Sequence, residues 1–147
     1  MKKILIITLI ISSIFCLGCS NSNDSENMVK LNKIDISALN NRKIKNIIDD
    51  TSLKEGVYQI NTSVNTYIYF LGLKNEFTDI SCNIEDDTLN IVASLNKKDN
   101  PEESSQKLFV IYQKNTTVSD DKVNYYDNIK LTVDDKESNF NSVIVVD

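Results

Sequence analysis

The chain has 147 residues, 16 of them basic and 21 acidic, with no histidine and a formal net charge of −5 at neutral pH. This acidic balance gives no electrostatic footprint for nucleic acid. The missing histidine removes His-based triads, His metal ligation and a protonation switch near pH 7. The three glycines form no phosphate-cradling loop and no dinucleotide motif.

The N-terminal segment reads MKKILIITLIISSIFCLGC. Lys2 and Lys3 are a positive leader, Ile4–Leu17 is an unbroken run of apolar or small residues, and Gly18-Cys19 closes it. The run is shorter than the roughly 20 residues a bilayer-spanning helix needs and suits an export signal. Phe15-Cys16-Leu17-Gly18-Cys19 resembles the lipobox of bacterial lipoproteins. Gly18 and Cys19 fit that pattern. Cys16 departs from it, standing where the family favours leucine. The resemblance implies that the Cys19 thiol is lipidated, that residues 1–18 are removed, and that the protein is anchored to the extracytoplasmic face of the cell membrane. It implies nothing about activity.

Loss of the signal with Lys2 and Lys3 takes the net charge from −5 to −7. Anionic lipid then repels the chain, and the acyl chains must supply the anchoring. Cys16 leaves with the signal and Cys19 is consumed by lipid. Cys82 remains alone, so an intrachain disulfide is excluded and the apolar core must stabilise the fold.

Residues 19–30 read as the lipidated cysteine and a polar, Ser- and Asn-rich disordered tether. Ten such residues span about 17 Å. Residues 31–147 are one domain's worth of chain. Residues 34–49 are ambiguous between strand and helix. Ile36, Leu39, Ile44, Ile47 and Ile48 share half a helical wheel, and the spacing predicts a helix over Ile36–Asp49, capped by Asp35 and stapled by Ile34 and Leu39. Asn40, Asn41 and Asn46 weaken it.

From Gly56 onward the pattern is β. Val57–Ile60 is a short strand, and Thr66–Leu73, apolar on both faces, is a central one. Phe77–Leu95 predicts a hairpin turning at Asp86-Asp87. It pairs Ile84 with Leu89, Cys82 with Ile91 and Ile80 with Ala93, all facing one core. A charged loop with Pro101 leads to a strand at Leu108–Gln113. Thr116–Asp127 is polar, with Tyr125 and Tyr126. Ile129, Leu131 and Val133 alternate as a strand, and Asp134-Asp135-Lys136-Glu137 turns into a last strand over Phe140–Val146. The expected fold is mainly β: a small antiparallel β-sandwich-like domain of six or seven strands with one short N-terminal helix after the tether.

Chemistry-bearing residues are few. Cys82 is the sole remaining thiol, and its place on the apolar face of a strand reads as a small buried hydrophobe. Paired acids recur at Asp49-Asp50, Glu85-Asp86-Asp87, Asp120-Asp121 and Asp134-Asp135. None has the alternating spacing of a calcium loop. Asp86, Asp87, Asp134 and Asp135 are the weak cation candidates, read first as turn formers. The strand tyrosines read first as packing residues. No cofactor is expected, and no catalytic set is evident. The leading expectation is a non-enzymatic, membrane-anchored binding module with another envelope protein as partner. An accessory subunit or inhibitor of an envelope protease or assembly complex, and a small carboxylate-based hydrolase, are the alternatives.

Overall fold

The computed structural model describes residues 28–85, 88–100, 102–114 and 128–146. The signal 1–18, Cys19, tether residues 20–27, Asp86, Asp87, Pro101, Asp120, Asp121, Tyr125 and Tyr126 lie outside the described residues.

The described residues form β1 (Met28–Ile34), a 3-10 turn (Ile36–Ala38), α1 (Arg42–Ile48), β2 (Gly56–Thr62), β3 (Thr66–Gly72), β4 (Asn75–Glu85), β5 (Thr88–Lys97), β6 (Ser105–Lys114), β7 (Ile129–Val133), β8 (Lys136–Ser138) and β9 (Ser142–Val146). A five-stranded sheet in the order β1-β6-β3-β2-β9 packs on a four-stranded sheet in the order β4-β5-β7-β8. The expected β-rich sandwich stands, with one refinement. Both sheets are mixed, because β9 runs parallel to β2 and β7 runs parallel to β5. The first strand begins at Met28, so residues 28–30, read as tether, belong to the domain.

Period-2 alternation explains the three layers. In β3, Ile68 and Phe70 face the small sheet, while Tyr69 and Leu71 face α1. The strand has β6 and β2 as neighbours, which makes it the central strand its sequence predicts. Between the sheets lie Val57, Ile68, Phe70 and Phe109 from one side and Phe77, Leu89, Ile91, Ala93 and Leu131 from the other. Phe70 anchors this layer, its ring 5.4 Å from Phe77 and 5.8 Å, edge-on, from Phe109. On the opposite face of the large sheet, Ile44 and Ile48 of α1 cover Tyr58, Ile60, Tyr69, Leu71 and Leu108.

The predicted helix over Ile36–Asp49 is broken in two. Asp35 does cap, its Oδ1 accepting the Ser37 N–H at 2.9 Å, but the turn it starts is a single 3-10 turn. Leu39 is extended, and Asn41 restarts the helix by accepting the N–H groups of Lys43 and Ile44 at 3.1 and 3.2 Å. Asparagine competes with helical hydrogen bonding in the interior and favours the cap, so Asn40-Asn41 becomes a boundary.

The hairpin pairs Ile84 with Leu89 and Cys82 with Ile91 as expected. Below Ser81 the register slips by one residue, and Ile80 does not pair with Ala93. Asp79, at φ 48°, sits in the resulting bulge. The extra residue reverses the parity of β4, so that Phe77 and the pair Ile80 and Cys82 all face the core. Ile84 is 43% exposed and does not. The expected last strand over Phe140–Val146 is β9, but the Asp134–Glu137 turn expected before it is shorter and opens into an additional short strand. Asp134 and Asp135, at φ 50° and 59°, form a two-residue turn closed by the Val133–Lys136 pair, β8 follows, and β9 then crosses to the other sheet.

Candidate functional site

The acids singled out by sequence are placed in structural roles or apart. Asp134 joins β7 to β5: its N–H donates to the Ala93 carbonyl at 3.1 Å, and its Oδ1 accepts the Leu95 N–H at 2.9 Å. Asp135 is exposed beside it. Asp86 and Asp87 are outside the described residues, but the strand ends that flank them, Glu85 and Thr88, lie at the other end of the small sheet. Among the described residues no three His, Cys, Asp or Glu side chains are grouped to hold a metal ion.

The most engaged carboxylate is one that sequence reasoning missed. Glu55 sits between α1 and β2, and its Oε2 accepts the N–H groups of Leu73, Lys74 and Asn75 at 2.7, 2.6 and 2.8 Å. Its Oε1 accepts the Asn75 side-chain amide at 2.7 Å. Burial acts to raise its pKa, and these hydrogen bonds together outweigh it, holding the carboxyl below its ordinary value. The group clamps the β3–β4 turn. No motif marks it, because its partners are backbone groups 18–20 residues away.

Cys82 is half-buried against the inter-sheet core. Burial pushes its thiol up, with the Leu31 backbone hydrogen bond opposing, so the thiolate is disfavoured at neutral pH. Tyr58 and Tyr69 are core residues with rings 6.1 Å apart, as packing predicts. The Tyr58 hydroxyl donates to the Lys54 carbonyl at 2.7 Å. The Tyr69 hydroxyl is buried with no partner among the described residues and, through that burial first and then Tyr58 and Asp49, is pushed up to about 12. Tyr112 is exposed.

A surface cavity of about 480 Å³ is lined by Lys33, Ile34, Asp35, Ile36 and Gln106, and it gathers no convergent set of catalytic side chains. A cleft of about 180 Å³ opens between the sheets beside Glu55, Phe77, Leu95, Val133 and Asn141. That is below the 300–1,000 Å³ usual for small-molecule sites. A groove of about 320 Å³ lies between the start of α1 and the β2–β3 turn, lined by Asn41, Arg42, Lys43, Val64, Tyr67 and Val146 among others.

That groove adjoins the feature of the surface that packing does not explain. Among the described residues the open sheets leave four edge strands, each with a row of backbone donors and acceptors that no further strand pairs. Three are guarded. β1 carries exposed Lys30 and Lys33, β4 carries the Asp79 bulge and a run of exposed polar residues, and β8 is three residues long. Among the described residues β9 has no such guard. Residues Ser142–Val146 include no charge, and Val143 and Val145 are 54% and 70% exposed. Ile144 and Val146 pack toward α1, so Val143 and Val145 stand on the other face of the large sheet. Val64, 63% exposed at the β2–β3 turn, lines the groove together with Val146. Sequence reading placed a strand here but could not show its neighbours.

Among the described residues no helix is long and apolar enough to cross a membrane. Comparison with known proteins finds no matching family model, no matching curated protein and no matching solved structure.

Proposed function

We propose that this chain is an exported lipoprotein, held on the extracytoplasmic face of the cell membrane by lipid on Cys19, whose β domain is a non-enzymatic interaction module. The observation that carries the anchoring is the succession Lys2-Lys3, Ile4–Leu17 and Gly18-Cys19. The interaction role draws support from the unguarded β9 edge, which a free-standing domain has reason to avoid. A non-enzymatic role is consistent with Glu55 and Asp134 being spent on backbone hydrogen bonds and with the raised thiol of Cys82.

Mass spectrometry of the mature N-terminus tests the anchoring. The expected species begins at a diacylglycerylated Cys19, and Cys19→Ser releases the domain from membranes. A mature start at another residue, or a Cys19→Ser variant that remains equally membrane-bound, sinks the anchoring.

A further inference from the structure

Arg42 is the one arginine of the chain, and it stands next to Lys43 in a protein of net charge −5. Both are exposed at the start of α1. Among the described residues the one ion pair is Lys107–Glu76, so neither cation is neutralised there. Helix energetics do not account for them either. Cations are unfavourable in a first turn, and α1 has no acid there. What the fold does is bring these two charges over the C-terminal end of β9, where Val146 shares their groove.

We propose that the free edge of β9 accepts an extended segment of a partner protein as an added strand, with apolar side chains beside Val143 and Val145 and a carboxylate against Arg42 and Lys43. This rests on the interaction-module reading above and names the chemistry of the partner. The alternation of a strand sets the pattern. A residue laid opposite Val143 or Val145 projects to the face away from α1, where it meets only apolar neighbours from β9. The neighbour laid beside Val146 projects to the α1 face, into the groove that Arg42 and Lys43 line. The added strand therefore carries apolar residues beside Val143 and Val145 and an acid at the Val146 end. Main-chain hydrogen bonds supply affinity, and the two side-chain rows supply selectivity.

A second copy of the chain fits less well. Two β9 strands pairing antiparallel about Ile144 would set Ser142, not an acid, opposite Val146. They would also bring together two bodies of net charge −5. Neither Arg42 nor Lys43 would gain a counter-charge from residues 142–146.

The test uses the full chain in nonionic detergent and two fluorescein-labelled peptides, Val-Glu-Val-Glu-Val and Val-Lys-Val-Lys-Val, read by anisotropy. The Glu peptide is expected to saturate and to bind about tenfold more tightly than the Lys peptide. Arg42→Glu with Lys43→Glu should reverse that preference, an outcome that misfolding cannot produce. Val145→Lys, at an exposed position, should weaken both, and methylating alternate amides of the Glu peptide should abolish binding. Equal affinity for the two peptides, a preference that survives charge reversal, or no saturation up to about 1 mM overturns the proposal. So does a peptide-free chain that sediments as a dimer and is dispersed by Val145→Lys, which assigns the edge to a second copy. Photocrosslinking in native membranes separates the two levels. A partner captured from Tyr112 but not from Val145 refutes the β9 assignment and leaves the interaction module standing, whereas capture from neither position refutes both.

Discussion

Glu55 shows how a single side chain is committed by its surroundings. Three backbone N–H groups and one amide converge on its carboxylate, and behind it Gly56, at φ 151°, lets Asn141 close in. The Asn141 amide donates to the Glu55 carbonyl at 3.1 Å and ties the start of β2 to the approach to β9. A Cβ on Gly56 would overlap the Asn141 side chain. Because the folded pKa of Glu55 lies below its ordinary value of 4.5, the ionised group contributes stability above that value and loses it as pH falls through the folded pKa. Charged hydrogen bonds are worth about 1.5–3 kcal/mol, and partial solvent screening lowers that, so Glu55→Gln should cost about 1–2 kcal/mol at pH 7. The gap should close below pH 4.5. Urea melts at both pH values check it, and a variant as stable as the parent at pH 7 contradicts the clamp. Asp79 offers a second residue-scale test. Its φ of 48° suits Asp and Gly but not a β-branched residue. Asp79→Gly should stay within about 0.5 kcal/mol of the parent, and Asp79→Val should cost about 1–2 kcal/mol. Equal stability of the two variants would mean that the bulge is not rigid.

At the scale of elements, the hairpin of β4 and β5 separates what local pattern can specify from what it cannot. Leu89, Ile91 and Ala93 are buried where alternation puts them, while Ile84, which pairs with Leu89, is exposed. Ile91→Ala should therefore cost about 2–5 kcal/mol, and Ile84→Ala about 0.5 kcal/mol or less. Chemical denaturation ranks the two, and near-equal costs would refute the packing. Cys82 should label slowly with a maleimide until denaturant is added, and fast native labelling would place it at the surface. Strands β2 to β7 and the pairs near the hairpin turn were legible because each follows from a local apolar pattern within a few residues, and the central place of β3 because it is apolar on both faces, whereas β1 and β8 were read as tether and turn. The slip at Asp79 had one visible trace, the odd parity of Phe77 against Ile80 and Cys82. It went unread because a bulge leaves no residue signature of its own. The broken helix turned on competition between Asn41 and the interior hydrogen bonds, a matter of local energetics that apolar spacing does not report. The β9 edge was the least legible feature. β9 joins β2 in parallel across a long crossover, and Arg42 and Lys43 reach it from yet another segment. No local window contains the three together.

At the scale of the whole molecule, the question is whether the acidic turns act together. Several carboxylates converging at one end of a sandwich would repel unless a cation joined them, and the cation would then stabilise the fold by mass action. Topology argues against this for the two candidate turns. β5 and β7 run parallel, with Leu89 beside Ile129 and Ala93 beside Val133. The Asp134-Asp135 turn leaves the Val133 end of the small sheet, while Glu85 and Thr88, which bracket Asp86 and Asp87 in sequence, mark the Leu89 end. Four residues of strand separate the two ends, about 13 Å at 3.3 Å per residue. Calcium holds its oxygens at 2.3–2.6 Å, so ligands of one ion lie within about 5 Å of each other. Asp134 is in addition engaged with the Leu95 N–H and the Ala93 carbonyl, contacts that need no ion. The thermal midpoint of the full chain should therefore differ by less than about 1 °C between millimolar calcium and chelator, against the several degrees per kcal/mol that a bound ion would bring to a domain of this size. A rise of several degrees that Asp134→Asn with Asp135→Asn abolishes would show that calcium binds at that turn alone. A rise abolished only when Asp86→Asn and Asp87→Asn are added would show that the two ends meet in a way this sheet order does not allow.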